Sequence, residues 1–254
     1  MALIKTSNPA LSDNTFRDVA GQYGELAGTG RMTLSGTVNK TGILLLCAVA
    51  TASWTWHQFL VSRNPADVTG EMLAGLLGGF VFAMITIFKK EWAPVTAPIY
   101  ALLEGLALGG LSAIFETRYP GIGIQAVSLT FGTLAVLLLA YTSGWIKVTD
   151  KLRLGIVAAT GGIAVFYLLE MLLSFFHIYF TSINGNGLIG IGFSLVVVVI
   201  ASLNLVLDFD FIEQGVQRGA PKYMEWYGAF GIIVTLVWLY LEILRLLSKM
   251  RSRN

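Results

Sequence analysis

Residues 187–207 read GLIGIGFSLVVVVIASLNLVL, and residues 228–247 read GAFGIIVTLVWLYLEILRLL. Each run is almost wholly apolar. At 1.5 Å of rise per residue, about twenty residues cover roughly 30 Å, the thickness of a bilayer's hydrocarbon core. The chain between them, DFDFIEQGVQRGAPKYMEWY, is polar and carries the turn residues Gly219 and Pro221. The pattern predicts two membrane-spanning helices joined by a polar hinge. Three acids break the apolar texture: Asp208 and Asp210 close the first run in LVLDFDFIEQG, and Glu242 stands inside LYLEILRLL of the second. A carboxylate in a spanning helix is costly and is usually kept for a function.

The rest of the chain repeats the texture. Of 254 residues, 55% are hydrophobic and 13% charged, with a mean hydropathy of +0.71; a soluble domain carries about 25% charged residues. Five further apolar runs precede the pair, near Gly42–Leu60, Met72–Phe88, Ala97–Phe115, Ile124–Trp145 and Leu154–Phe176. The fold class is therefore an all-α, seven-transmembrane-helix bundle. Residues 1–40 form a polar arm, 41–248 the helical domain, and 249–254 a basic tail. The arm holds no apolar core of a signal peptide, so insertion is expected to start with the first span. Within it Ser12, Asp13, Asn14 and Phe16 suggest a short helix, and the Gly- and Thr-rich remainder suggests irregular chain. Glycines in LAGLLGGF, EGLALGG and ATGGIA suit close helix packing.

Charge supplies an orientation. With the N-terminus cytoplasmic, eleven Lys and Arg fall in the arm and inner loops, against Arg63 and Arg118 in the closed outer loops. This is the positive-inside pattern. Arg245, Lys249, Arg251 and Arg253 resist it, because seven full crossings place them outside. Either the tail is a tolerated exception or the seventh segment does not cross completely. The net charge of +2, with cations flanking the spans, argues against a nucleic-acid partner. Cys47, the single cysteine, excludes an internal disulfide.

Two deeper acids join the first three: Glu104 in the third span and Glu170 in the fifth. No lysine or arginine lies deep enough in these spans to pair obviously with them, although Arg245 can reach Glu242 along one helix face. Two carboxylates on neighbouring helices cannot both ionise without repulsion. A shared proton would hold such helices together, and its loss would part them and admit a cation. Plain solvation at a helix end is the alternative for Asp208 and Asp210. Catalysis is not expected: the GxGD pattern of intramembrane aspartyl proteases, a mid-span retinal lysine, and Walker, Rossmann and HExxH patterns are all missing. His57 and His177 lie at span ends without a third ligand, so neither zinc nor another cofactor is expected.

These features resemble the transmembrane Bax-inhibitor-motif family, and within it the bacterial Bax inhibitor-1/YccA-like branch. The resemblance rests on seven spans, an arm opening NPAL…F (Asn8 to Phe16), LVLDFDFI at the end of the sixth span, and LYLEILRLL at the end of the last. It implies a central seventh helix and a pH-sensitive calcium leak gated by acids on the sixth and seventh helices. It also implies a bacterial inner membrane and, for some members, regulation of a membrane protease, which would here act through the arm without conduction. Asp208 matches the sixth-helix acid, with Ile212 four positions on. For the seventh helix, matching LYLEILR to the family's LYLD form places Glu242 as partner; the alternative LFLYILR form places Thr235 there instead. The gate is read as Asp208 with Glu242, and Asp210, Glu104 and Glu170 as further acids on the cation path, with calcium bound only transiently.

Overall fold

The computed structural model describes residues 30–178 and 180–253. Most of the arm, including Asn8–Phe16, lies outside the described residues. Seven long helices follow: α1 Leu34–Ser62, α2 Thr69–Phe88, α3 Ala93–Arg118, α4 Ile122–Thr142, α5 Asp150–Ser174, α6 Leu188–Gln217 and α7 Met224–Arg251. All seven are long and apolar enough to cross a membrane. The chain is an integral membrane protein with an all-α, seven-helix bundle.

Local chemistry sets the helix ends. Thr33 caps α1 by accepting a bond from the Gly36 N–H, so this helix starts at Leu34, well before the apolar run at Gly42. The stretch from Leu34 to Thr41, expected to be irregular, is thus helical. Arg63 closes α1 in the left-handed region at φ 56°. Thr149 caps α5 by accepting from the Leu152 N–H, and Gly121, at φ 80°, turns the chain between α3 and α4.

α7 is the core of the bundle. In its most apolar stretch 67% of residues are buried, against 6% for α5. It packs on α1, α3, α4 and α6. Tyr240 meets Ser112 of α3 through a buried hydroxyl pair at 2.5 Å. Helix α7 also continues past Leu247 to Arg251, so Lys249 and Arg251 belong to the helix and not to a tail.

Helix α7 runs from one end of the bundle to the other. At one end Glu225 is bonded to Thr33 at the start of α1. At the other, Arg251 donates to the Pro120 carbonyl at 2.7 Å and to Gln125 Oε1 at 2.8 Å, in the α3–α4 turn and the first turn of α4. Three crossings separate Thr33 from that turn, so the two ends lie on opposite faces.

Glycines bring α1, α2 and α3 together, as two of the three glycine motifs suggest. A methyl group on Gly75 of α2 would lie 2.6 Å from the Ala107 nitrogen of α3. One on Gly109 of α3 would lie 2.6 Å from the Ala52 carbonyl of α1. Beside this contact, Thr51 Oγ1 donates to the Leu102 carbonyl at 2.8 Å. The third motif behaves differently: Gly161 and Gly162 of α5 have open space where a side chain would project. Helix α5 needs no close approach there. Gly109→Ala is therefore expected to destabilise by about 1–3 kcal/mol, and Gly162→Ala to leave stability unchanged or raise it. Thermal unfolding in detergent measures both.

Candidate functional site

Helices α6 and α7 run antiparallel, and their facing positions carry polar groups in a regular register. Near the middle, Thr235 Oγ1 donates to Asp208 Oδ2 at 2.6 Å, and both residues are buried. One turn earlier on α6, Asn204 donates to Thr160 Oγ1 of α5 and to the Ile200 carbonyl, each at 2.8 Å. Far along α6 and α7, Lys249 donates to Ser194 Oγ at 2.9 Å. Ser194 precedes Asp208 by the same number of residues as Lys249 follows Thr235, so one register holds along the whole contact. Thr235, Glu242 and Lys249 recur every seven residues, which keeps them on one face of α7. The face forms a polar seam through an otherwise apolar bundle.

Glu242 sits on this seam but away from Asp208. Seven residues past Thr235 is about 10 Å along the axis. There the Tyr167 hydroxyl of α5 donates to Glu242 Oε1 at 2.9 Å, and Arg245 Nη1 reaches both carboxylate oxygens at 3.0 and 3.2 Å. The guanidinium also donates to the Tyr167 hydroxyl at 2.5 Å and lies 5.0 Å from the ring centroid. The structure thus brings Asp208 to Thr235, the alternative partner position, and gives Glu242 a separate site with Tyr167 and Arg245.

The other acids are placed as follows. Asp210 is paired: Arg153 of α5 lies 2.6 Å from Oδ2, and Gln214 donates to the same oxygen at 2.6 Å. A cation for this acid was missed because Arg153 precedes the apolar run of α5 and reaches in from the helix start. Glu170 is close to the end of α5 and accepts a bond from Asn184 in the α5–α6 connection. Glu104 lies on the α2-facing side of α3, with Oε2 packed over Gly79. Among the described residues it makes no hydrogen bond or ion pair, and it stands apart from the α6–α7 seam. On another side of α7 an apolar cavity of about 380 Å³ is lined by Ile233, Leu236 and Val237, with Trp56 and Phe131 across from them. It contains no carboxylate.

Two ionic groups went unread in the sequence. Glu225, in the first turn of α7, is fully buried and accepts from the Thr33 N–H at 3.0 Å and the Thr33 hydroxyl at 2.8 Å. Lys222 lies 2.7 Å away and Lys40 3.3 Å. The absence of a side chain at Gly36 makes the space, since a methyl group there would fall on this carboxylate. An acid in a helix's first turn is a recognisable signal, but of its partners only Lys222 is near in sequence; Thr33 and Lys40 lie nearly two hundred residues away. Lys249 is the second group. The seven-residue spacing from Thr235 through Glu242 pointed to it, although it reads as part of a basic tail.

The match to known families follows this geometry. The family model described as "Bax inhibitor 1 like" matches residues 8–252, nearly the whole chain. The chain belongs to the Bax inhibitor 1 like family. Neither a curated protein nor a solved structure matches it. In this family member Asp208 touches Thr235, the alternative seventh-helix position, and not Glu242, the position preferred from the sequence.

Removing the Arg245 guanidinium leaves Glu242 buried with the tyrosine hydroxyl alone. Arg245→Ala should cost about 1–3 kcal/mol, the usual penalty for a stranded buried polar group. Adding Glu242→Gln should return part of that loss. Thermal melts of the two variants check the order.

Proposed function

We propose that the chain is a slow cation leak, with calcium as the cargo and Asp208 as the acid at its gate. The observation that supports this reading is the polar seam between α6 and α7. Ionisable groups inside a membrane bundle are costly and commonly mark ion paths. From Thr235 to Lys249 the seam covers about 21 Å of helix axis, most of the hydrocarbon thickness. Asp210 with Arg153, and Glu213 with Tyr141, continue the polar groups toward the opposite face.

In the closed state the Thr235 hydroxyl holds Asp208 against α7. Thr235 cannot ionise, so the latch differs from a pair of acids sharing one proton: only the Asp208 side of the contact titrates. A cation entering the seam offers Asp208 a stronger partner than a hydroxyl, and exchange of one for the other opens the contact. Glu242, neutralised by Arg245 and held by Tyr167, supplies the next carboxylate along the same face. Glu104, packed over Gly79 of α2, is left out of this path.

A liposome assay with an internal calcium dye tests the reading. Wild-type influx should depend on pH, Asp208→Asn should flatten that dependence, and Thr235→Val should raise basal influx. No influx at any pH sinks the proposal.

We further propose that the Thr33 face is cytoplasmic, in a bacterial inner membrane. With Lys40, Lys222 and Arg153 set aside as partners of Glu225 and Asp210, that face still carries Arg31, Lys89, Lys90, Lys147, Lys151 and Arg218. The opposing cations of α7 are largely consumed inside the protein: Arg245 by Glu242, Lys249 by three oxygens, and Arg251 by Pro120 and Gln125. The positive-inside rule counts cations of loops and span ends, and these are bonded within the bundle. In a Cys47→Ala background, Arg253→Cys should react with an impermeant maleimide added to intact cells. Lys147→Cys should stay unlabelled until the membrane is opened. The reverse pattern refutes the orientation.

A further inference from the structure

Lys249 is only 6% exposed. Its ammonium donates to the Ile183 carbonyl at 2.8 Å, the Gly190 carbonyl at 3.1 Å and Ser194 Oγ at 2.9 Å. An ammonium has three N–H donors and no acceptor, so this set is complete. All three acceptors are neutral oxygens. Among the described residues Lys249 has no carboxylate within ion-pair distance; Glu242 and Glu170 act on it only through their field, and Arg245 opposes them. Backbone carbonyls and hydroxyls converging on one point are the donor set that replaces the hydration shell of a metal cation.

The surrounding chain is shaped for this convergence. A side chain on Gly190 would overlap the Gly185 carbonyl, so the connection into α6 folds back tightly only with glycine there. This fold turns the carbonyls of Ile183 and Gly190 inward. The cage also stands at the end of the polar face, seven residues beyond Glu242.

We propose that the Ile183 carbonyl, the Gly190 carbonyl and Ser194 Oγ form a latent site for a small monovalent cation, filled by the tethered ammonium of Lys249. On the cation-leak reading, which this second step assumes, the ammonium closes the Arg251-side mouth of the seam.

Melting of the full-length protein in detergent tests the site without any flux measurement. Lys249→Met and Lys249→Gln are compared with wild type in sodium, potassium or N-methylglucamine chloride at matched ionic strength. The glutamine variant keeps one donor for the cage if the methionine variant does not fold. Each variant is expected to melt roughly 5 °C lower in N-methylglucamine. Sodium or potassium should restore part of that loss, with no comparable shift in wild type, and adding Ser194→Ala should weaken the rescue. Equal loss in every salt makes Lys249 a hydrogen-bonded tether and overturns the proposal, as does an equal upward shift in wild type. In liposomes, Lys249→Gln should leak several-fold faster than wild type; equal rates overturn the closing role. A silent wild type defeats the leak reading instead, while the melts still decide the site.

Discussion

Hydrocarbon solvates neither a carboxylate nor an ammonium, so each ion that α7 carries must find its solvent in the protein. This helix holds Glu225, Glu242, Arg245, Lys249 and Arg251. A lipid-facing α7 would expose most of them at great cost. Placed at the centre, it reaches partners on α1, α4, α5, α6 and two interhelical connections. The buried position of the last helix and its polar content are one constraint seen from two sides. The lipid-facing α5 carries its ionic groups near its ends, at Asp150, Lys151, Arg153 and Glu170, where water or a neighbouring polar group can reach them.

The partners differ along α7, and the difference divides the helix. At its start Glu225 is held by a capping threonine and two lysines, a cluster that ties α7 to the beginning of α1. At its end Lys249 and Arg251 bind carbonyls of the α5–α6 and α3–α4 connections. Between these anchors lie the Asp208–Thr235 contact, the Glu242–Arg245 pair with Tyr167, and the Tyr240–Ser112 bond.

Helices α1, α2 and α3 form a more rigid part. Backbone approaches at Gly75, Gly105 and Gly109 leave no room for even a methyl group, and dense packing of this kind transmits displacement without absorbing it. Helix α7 packs on two helices of this part, α1 and α3, and meets α6 across the polar seam. In the proposed leak, opening falls on the seam side, where hydrogen bonds are traded for bonds to an ion.

The seven spans, the membrane setting and the acids of the last two helices follow from the sequence alone. Hydrophobic runs of bilayer length are local, and hydrocarbon permits little besides a helix for them. The even spacing of Thr235, Glu242 and Lys249 is also written there, since helix geometry converts seven-residue spacing into one face. Tertiary structure decided which residues meet. Thr235 rather than Glu242 faces Asp208 because the α6–α7 register depends on the whole antiparallel contact, not on the identity of the acids. Arg153 reaches Asp210, and Thr33 reaches Glu225, across separations that no local pattern encodes. Lys249 belongs by composition to a basic tail; it became a buried ammonium because the α5–α6 connection folds its carbonyls over the end of α7.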